Sequence, residues 1–257
     1  MVTSDNIKQI AARALALLDL TDLSETCTND DIDALCERAF TPHGPVAAIC
    51  IWPQFITHAR ACLDDRALRI ATVVNFPGGD QPVDQVVAQT QKAINDGADE
   101  IDLVLPYRAL LDGDEQSAAD MVQAISTVTG GKILLKVIIE TGELETDEWI
   151  DRASSLAIEQ GADFIKTSTG KVAVNATPHF AEKMIDVIHK SGKRVGFKPA
   201  GGIKTAEDCG EYLAIADRIM GPEWASPQTF RFGASSVLAD LLARLDDATP
   251  VSDTGGY

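Results

Sequence analysis

KILLKVIIETGELETDEWIDRASSLAIEQGADFIKTS, residues 132–168, decides the fold. It opens on a run, Lys132–Glu140, too uniformly apolar to leave either side in water. An amphipathic stretch with helical period follows, Asp147–Glu159, and then a second short apolar run, Asp163–Ser168. Two fully buried strands joined by a covering helix form a parallel βαβ unit.

The same alternation extends in both directions. Upstream strand candidates are Val46–Trp52, Arg69–Phe76 and Glu100–Pro106; downstream ones are Arg194–Ala200, a weak Asp217–Gly221 and Thr229–Ala234. Further helical stretches are Val83–Asn95, Gln116–Val128, Pro178–His189, Ala206–Ala214 and Val237–Leu245. The reading is an α/β protein, a (β/α)8 TIM barrel with extra N-terminal helices, and the alternative is an open doubly wound sheet. Ser4–Leu18 and Asn29–Phe40 are expected to pack across the bottom of the barrel. No linker divides the chain, so one domain is expected over 1–257, with residues 1–45 capping the barrel. Residues 246–257, DDATPVSDTGGY, have the composition of a mobile tail ending in Tyr257.

Composition narrows the function. The chain has 257 residues, is 45% hydrophobic and carries a formal net charge of −17. Such acidity excludes a nucleic-acid partner, because phosphate backbones require clustered Lys and Arg. No apolar run is long enough to span a bilayer, so no membrane role is expected. The five cysteines (27, 36, 50, 62 and 209) are odd in number and scattered, as in a reduced cytoplasmic protein. The four histidines form no HxxxH or HExxH pair and there is no CxxC, so neither a metal nor a cofactor is expected.

Charges inside the strand runs carry the chemistry. Residues i and i+2 share a strand face. Asp102 goes with Glu100 and Val104, Lys136 with Leu134 and Ile138, Lys166 with Phe164 and Ser168, and Lys198 with Gly196 and Ala200. If these faces point inward, one carboxylate and three ammonium groups meet where branched apolar side chains normally pack. Asp102 with one lysine also reads as a buried ion pair, and Lys136 as a countercharge. Excess positive charge is relieved most cheaply by deprotonating a lysine. A free lysine, with pKa about 10.4, is neutral only about once in 2,500 at pH 7. A depression of about 3 units raises that fraction several-hundred-fold, at a cost of about 4 kcal/mol. A neutral lysine attacks carbonyls. The residues leave Lys166 and Lys198 equal candidates.

Three strands end in small-residue loops suited to an anion: Thr167-Ser168-Thr169-Gly170-Lys171, Ala200-Gly201-Gly202 and Gly233-Ala234-Ser235-Ser236. Glycines let backbone N–H groups approach a phosphate, and helix N-termini add their positive dipole ends. An imine-forming lysine beside such loops suggests a sugar-phosphate aldolase. The rivals are another sugar-phosphate barrel enzyme, an isomerase or metal-dependent aldolase, and a non-catalytic binder of phosphorylated metabolites.

The stretches AAICIWPQF, IATVVNFPGG, GADEIDLVLPYRALLDGDE, LLKVIIETGEL, GADFIKTSTGKVAVNATP, VGFKPAGGIKTAED and RFGASS resemble the deoxyribose-phosphate aldolase family, bacterial type, from Asp19 to Ser236. The resemblance implies a class I lyase of deoxyribose phosphate catabolism. It would be metal-independent, and would split 2-deoxy-D-ribose 5-phosphate into acetaldehyde and D-glyceraldehyde 3-phosphate. By motif, Lys166 is then the Schiff-base lysine, Lys198 its pKa-depressing neighbour, and Asp102 the acid/base acting through water. Gly170, Lys171, Gly201, Gly202, Gly233, Ser235 and Ser236 bind phosphate, and Tyr257 reaches the site. Cys50 lies near the pocket, open to aldehydes but not catalytic. Homodimers are common in the family.

Overall fold

The apolar runs become eight short strands, β1 Leu18–Asp22, β2 Ala48–Ile51, β3 Arg69–Val74, β4 Glu100–Val104, β5 Leu134–Ile138, β6 Phe164–Lys166, β7 Gly196–Lys198 and β8 Phe232–Ala234. The computed structural model describes residues 4–248. All neighbours in the sheet are parallel, in the order β8-β1-β2-β3-β4-β5-β6-β7. Parallel bridges Phe197↔Phe230 and Ala200↔Gly233 bring its two edges together and close the barrel.

Nine longer helices accompany the strands: α1 Ser4–Ala16, α2 Asn29–Arg38, α3 Ile56–Leu63, α4 Val83–Asp96, α5 Glu115–Thr129, α6 Asp147–Glu159, α7 Pro178–Ser191, α8 Ala206–Met220 and α9 Val237–Leu245. Their starts are written locally. Thr146, Thr177 and Thr205 accept backbone N–H bonds at the N-termini of α6, α7 and α8, and Asp208 completes a capping box with Thr205. Each strand splits by pleat. Ile49, Ile70, Ile101, Leu103, Leu135, Val137, Ile165 and Phe197 are buried in the main core, while Asp102, Lys136 and Lys198 occupy alternate positions on the other face.

Two expectations are corrected. Asp217–Gly221 is not a strand, because residues up to Met220 continue α8 and Arg13 grips Asp217 through both carboxylate oxygens at 2.7 and 2.8 Å. The missing strand is β1, LDLTD. Consequently α2 does not cap the barrel but is the helix that follows β1. Nor does α1 lie across the bottom. Its Ile10 packs against Gly210 of α8, where a Cβ would come within 3.0 Å of Ile10 Cδ1. Asn6, Ile7, Ile10 and Arg13 line one groove with Glu207, Gly210, Ala214 and Asp217, so α1 runs beside α8 on the outer wall. The cause is the apolar stripe of α1, which finds its complement on a helix face and not on strand ends.

Candidate active site

Inward-facing residues of five strands, with Arg231 just before β8, meet in one charged cluster. Asp102 on β4 is its hub: Oδ1 accepts from Lys136 Nζ at 2.7 Å, and Oδ2 from Lys166 Nζ at 2.8 Å and Lys198 Nζ at 2.9 Å. Strand register causes this, since Asp102 pairs with Lys136 and Lys166 with Lys198. Glycine makes the room: a Cβ at Gly196 would strike the Phe164 ring at 2.5 Å, and one at Gly233 would come within 3.1 Å of Lys198 Cε.

The cluster is larger than the sequence reading allowed. Asp19 on β1 pairs with Lys198 at 2.5 Å and, through its other oxygen, with Arg231 at 2.5 Å. Glu100 forms an ion pair with Lys136 at 2.6 Å and accepts from Arg231 at 2.8 Å. Three carboxylates therefore face four basic groups, and the single-carboxylate expectation is corrected. Asp19 lies on a strand with no apolar run to mark it, and Arg231 on a candidate strand whose inward face spacing alone does not identify.

The electrostatics follow from this packing. Burial works against the charge on Lys198, but Asp102 and Asp19 outweigh it and carry its pKa well above the ordinary lysine value. Lys136 is raised likewise, burial being overcome by Asp102 and Glu100. Burial would raise Asp102, yet the three lysines hold it well below the carboxylate range, and Lys198, Arg231 and Lys136 do the same for Asp19. Lys166 has the weakest hold on counterions. It touches one carboxylate oxygen, already shared with Lys198, and it keeps 3% of its surface exposed while Lys136 and Lys198 keep none.

A cavity of about 170 Å³ adjoins the cluster across Gly233, lined by Gly170, Asn175, Gly201, Gly202, Ile203 and Lys204 together with residues 233–236. Six of the seven loop residues singled out in the sequence, Gly170, Gly201, Gly202, Gly233, Ser235 and Ser236, line it. Lys171 does not; its Nζ donates to the Leu23 carbonyl at 3.0 Å. The lysine that lines the cavity is Lys204, legible only as the cation following Gly-Gly-Ile. Of the two helices starting here, α8 is capped by Thr205 and Asp208, whereas Ser236 makes no side-chain cap on α9. The first turn of α9 thus lacks a side-chain acceptor for its N–H groups. Among the described residues, Asn175 Oδ1 is buried and has no hydrogen-bond partner.

Two more residues frame the mouth. Glu140, just after β5, is buried at φ +57 and accepts from Thr169 N at 3.1 Å, fixing the loop after Lys166. Cys50 packs inside the barrel with Leu23, Ala71 and Val73. It has no exposed surface, and burial pushes its thiol pKa up, so the expected opening toward aldehydes is absent. Tyr257 lies outside the described residues.

Comparison with known proteins agrees with this architecture. Residues 13–242 match the sequence model of the DeoC/LacD family aldolases. The chain belongs to that family. It is 56% identical over 251 residues to a deoxyribose-phosphate aldolase of Agrobacterium fabrum (strain C58 / ATCC 33970), covering 97% of each chain. The crystal structure of a proposed deoxyribose-phosphate aldolase from Toxoplasma gondii ME49 superimposes with a TM-score of 0.88 at 23% identity, covering 97% of this chain and 98% of that one. A deoxyribose phosphate aldolase from Aeropyrum pernix, described as a tetramer, gives 0.76 at 21% identity, covering 94% and 97%. These two likenesses carry the barrel fold. The protein is an aldolase, a carbon–carbon lyase.

The buried cluster gives this aldolase a defined acid limb. Asp19 and Asp102 titrate below their unfolded value of about 3.9. Their ionised forms stabilise the fold above that pH, and the contribution is lost as pH falls through the lower folded values. The melting temperature should therefore drop more steeply between about pH 5 and pH 2 in the wild type than in Asp19→Asn. Parallel thermal-melt profiles of the two proteins would show that the aspartate does not titrate this way.

Proposed function

We propose that this aldolase splits 2-deoxy-D-ribose 5-phosphate into acetaldehyde and D-glyceraldehyde 3-phosphate through a Schiff base on Lys166, a step of deoxyribose phosphate breakdown. One observation carries the reading: Lys166 is the fourth basic group among three carboxylates, with half a claim on a single oxygen. Lys136 and Lys198 are each held by two carboxylates, which leaves Lys166 as the amine least committed to a counterion. The 56% identity to a deoxyribose-phosphate aldolase supports the substrate.

Neutral Lys166 adds to C1 of the open-chain sugar, and loss of water gives an iminium ion. The C3 hydroxyl gives up its proton, the C2–C3 bond breaks toward the iminium, and glyceraldehyde 3-phosphate departs. An enamine of acetaldehyde remains. As the bond breaks the nitrogen loses its charge, so Asp102 faces two cations instead of three and its proton affinity rises in the same step. Asp102, acting through water, takes the C3-hydroxyl proton and returns it to the enamine carbon. Hydrolysis releases acetaldehyde and restores the amine. Lys198 remains a cation beside the nitrogen throughout. Tyr257 takes the share in proton transfer that the resemblance implies. The apolar wall of Leu23, Cys50, Ala71 and Val73 suits a two-carbon aldehyde.

The cavity at Gly201, Gly202 and the uncapped start of α9 takes the phosphate, with Lys204 supplying charge. Lys204→Met should raise KM for the phosphorylated substrate about 10-fold with kcat nearly kept, because the lost contact serves ground and transition states alike. An unchanged KM would remove Lys204 from the phosphate site. The five cysteines are all unpaired, which supports a reducing cytoplasmic compartment. Among the described residues, no helix is long and apolar enough to cross a membrane. Borohydride added with acetaldehyde should inactivate the enzyme and leave a reduced adduct on Lys166. Full activity after that treatment, or loss of activity to EDTA alone, would overturn the Schiff-base reading.

A further inference from the structure

Away from the barrel interior, the outer wall between α2 and α3 gathers three side chains that the aldol reaction does not use. His58 and Cys62 stand one turn apart on α3, and Asp33 faces them from α2. Asp33 Oδ1 lies 2.8 Å from His58 Nε2 and 2.7 Å from Cys62 Sγ. All three donor atoms fall within 4.8 Å of one another. Motif spacing alone misses the trio, because the third donor comes from another helix and the α3 pair is HxxxC, not HxxxH.

We propose that Asp33, His58 and Cys62 form a zinc site that clips α2 to α3. Imidazole nitrogen, thiolate sulfur and carboxylate oxygen are the three donor types that Zn²⁺ takes. With the thiol deprotonated the set carries two negative charges and one neutral ring, which balances the ion. Tetrahedral Zn²⁺ with bonds of about 2.0–2.3 Å spaces its donors about 3.3–3.7 Å apart. The Asp33 oxygen therefore has to move about 1 Å away from the other two donors, while His58 Nε2 and Cys62 Sγ already lie within 4.8 Å of each other. Asp33 is exposed and His58 and Cys62 are half-buried, so their side chains have room to turn. Solvent at Asp33 supplies a fourth ligand as water. The nearest cation does not compete: Arg66 donates to Glu37 at 3.0 Å and to the Cys62 carbonyl at 2.8 Å. A surface His–Asp ion pair with the Cys62 thiol donating to Asp33 accounts for the same contacts without a metal, and metal titration separates the two.

The test uses the full-length protein freed of metal by chelation and titrated with Co²⁺. One equivalent should produce a thiolate-to-cobalt charge-transfer band that Zn²⁺ displaces, and Zn²⁺ should raise the melting temperature. Cys62→Ser should abolish the band, and both His58→Ala and Asp33→Asn should weaken Zn²⁺ binding by at least about 100-fold. Aldol turnover of the metal-free variants should equal that of the metal-free wild type, which also shows that they fold. Absence of the band overturns the proposal, as does a band that survives Cys62→Ser. Zn²⁺ affinity unchanged in His58→Ala or Asp33→Asn overturns it as well.

Discussion

Lys166→Ala should lower turnover by at least about four orders of magnitude while the protein still folds. The amine is the nucleophile, and no other basic group of the cluster can take its place. Lys198 is held by Asp19 and Asp102, and Lys136 by Glu100 and Asp102. Both are locked as cations, and a cation does not add to a carbonyl. Removing Lys166 also leaves three carboxylates against three basic groups, so the cluster remains charge-balanced and little stability is lost. That combination, inactive but folded, distinguishes a nucleophile from a structural ion pair. The check is paired steady-state kinetics and thermal melts. A variant that kept even about 1% of wild-type kcat/KM would mean that the imine forms elsewhere.

Arg231→Met should cost about 3–5 kcal/mol of stability, the usual result of stripping one partner from a buried ion pair. In a chain of this size that corresponds to a fall in melting temperature of about 6–20 °C. Arg231 keeps only 1% of its surface exposed and serves both Asp19 and Glu100. Methionine fills the volume but leaves Asp19 to Lys198 and Glu100 to Lys136. Adding Glu100→Gln to Arg231→Met should recover part of the loss, because one uncompensated carboxylate is then neutralised. A melting temperature within about 2 °C of wild type in the single variant would show that water or relaxation already compensates the pair.

The sequence showed the barrel wherever burial on both faces left continuous Val, Ile and Leu, as in KILLKVIIE and DFIKTS. It failed at LDLTD because the inner face of that strand is part of the site: Asp19 and Thr21 replace the apolar residues that would have marked it. DRIMG misled for the converse reason, since the apolar end of an amphipathic helix just before a glycine has the composition of a short strand. Within the site, period-two spacing grouped Lys136, Lys166, Lys198 and Asp102 with their face neighbours and left open whether those faces point inward. It did not show that Lys166 would be level with Lys198, because register depends on how neighbouring strands slide. Lys171 and Lys204 show the same limit. Both follow glycines, and only the path of each loop sends one toward Leu23 and the other to the cavity.

Asp19 and Arg231 are separated by 212 residues, yet each is a counterion of the other. A nascent chain emerging from the ribosome holds Asp19, Glu100 and Asp102 long before their last partner has been synthesised. Partial barrels ending before β8 are thereby penalised, and a fragment built from the first four or six βα units should stay unstructured. Assembly should therefore be all-or-none for an electrostatic reason, beyond the ordinary cooperativity of apolar packing.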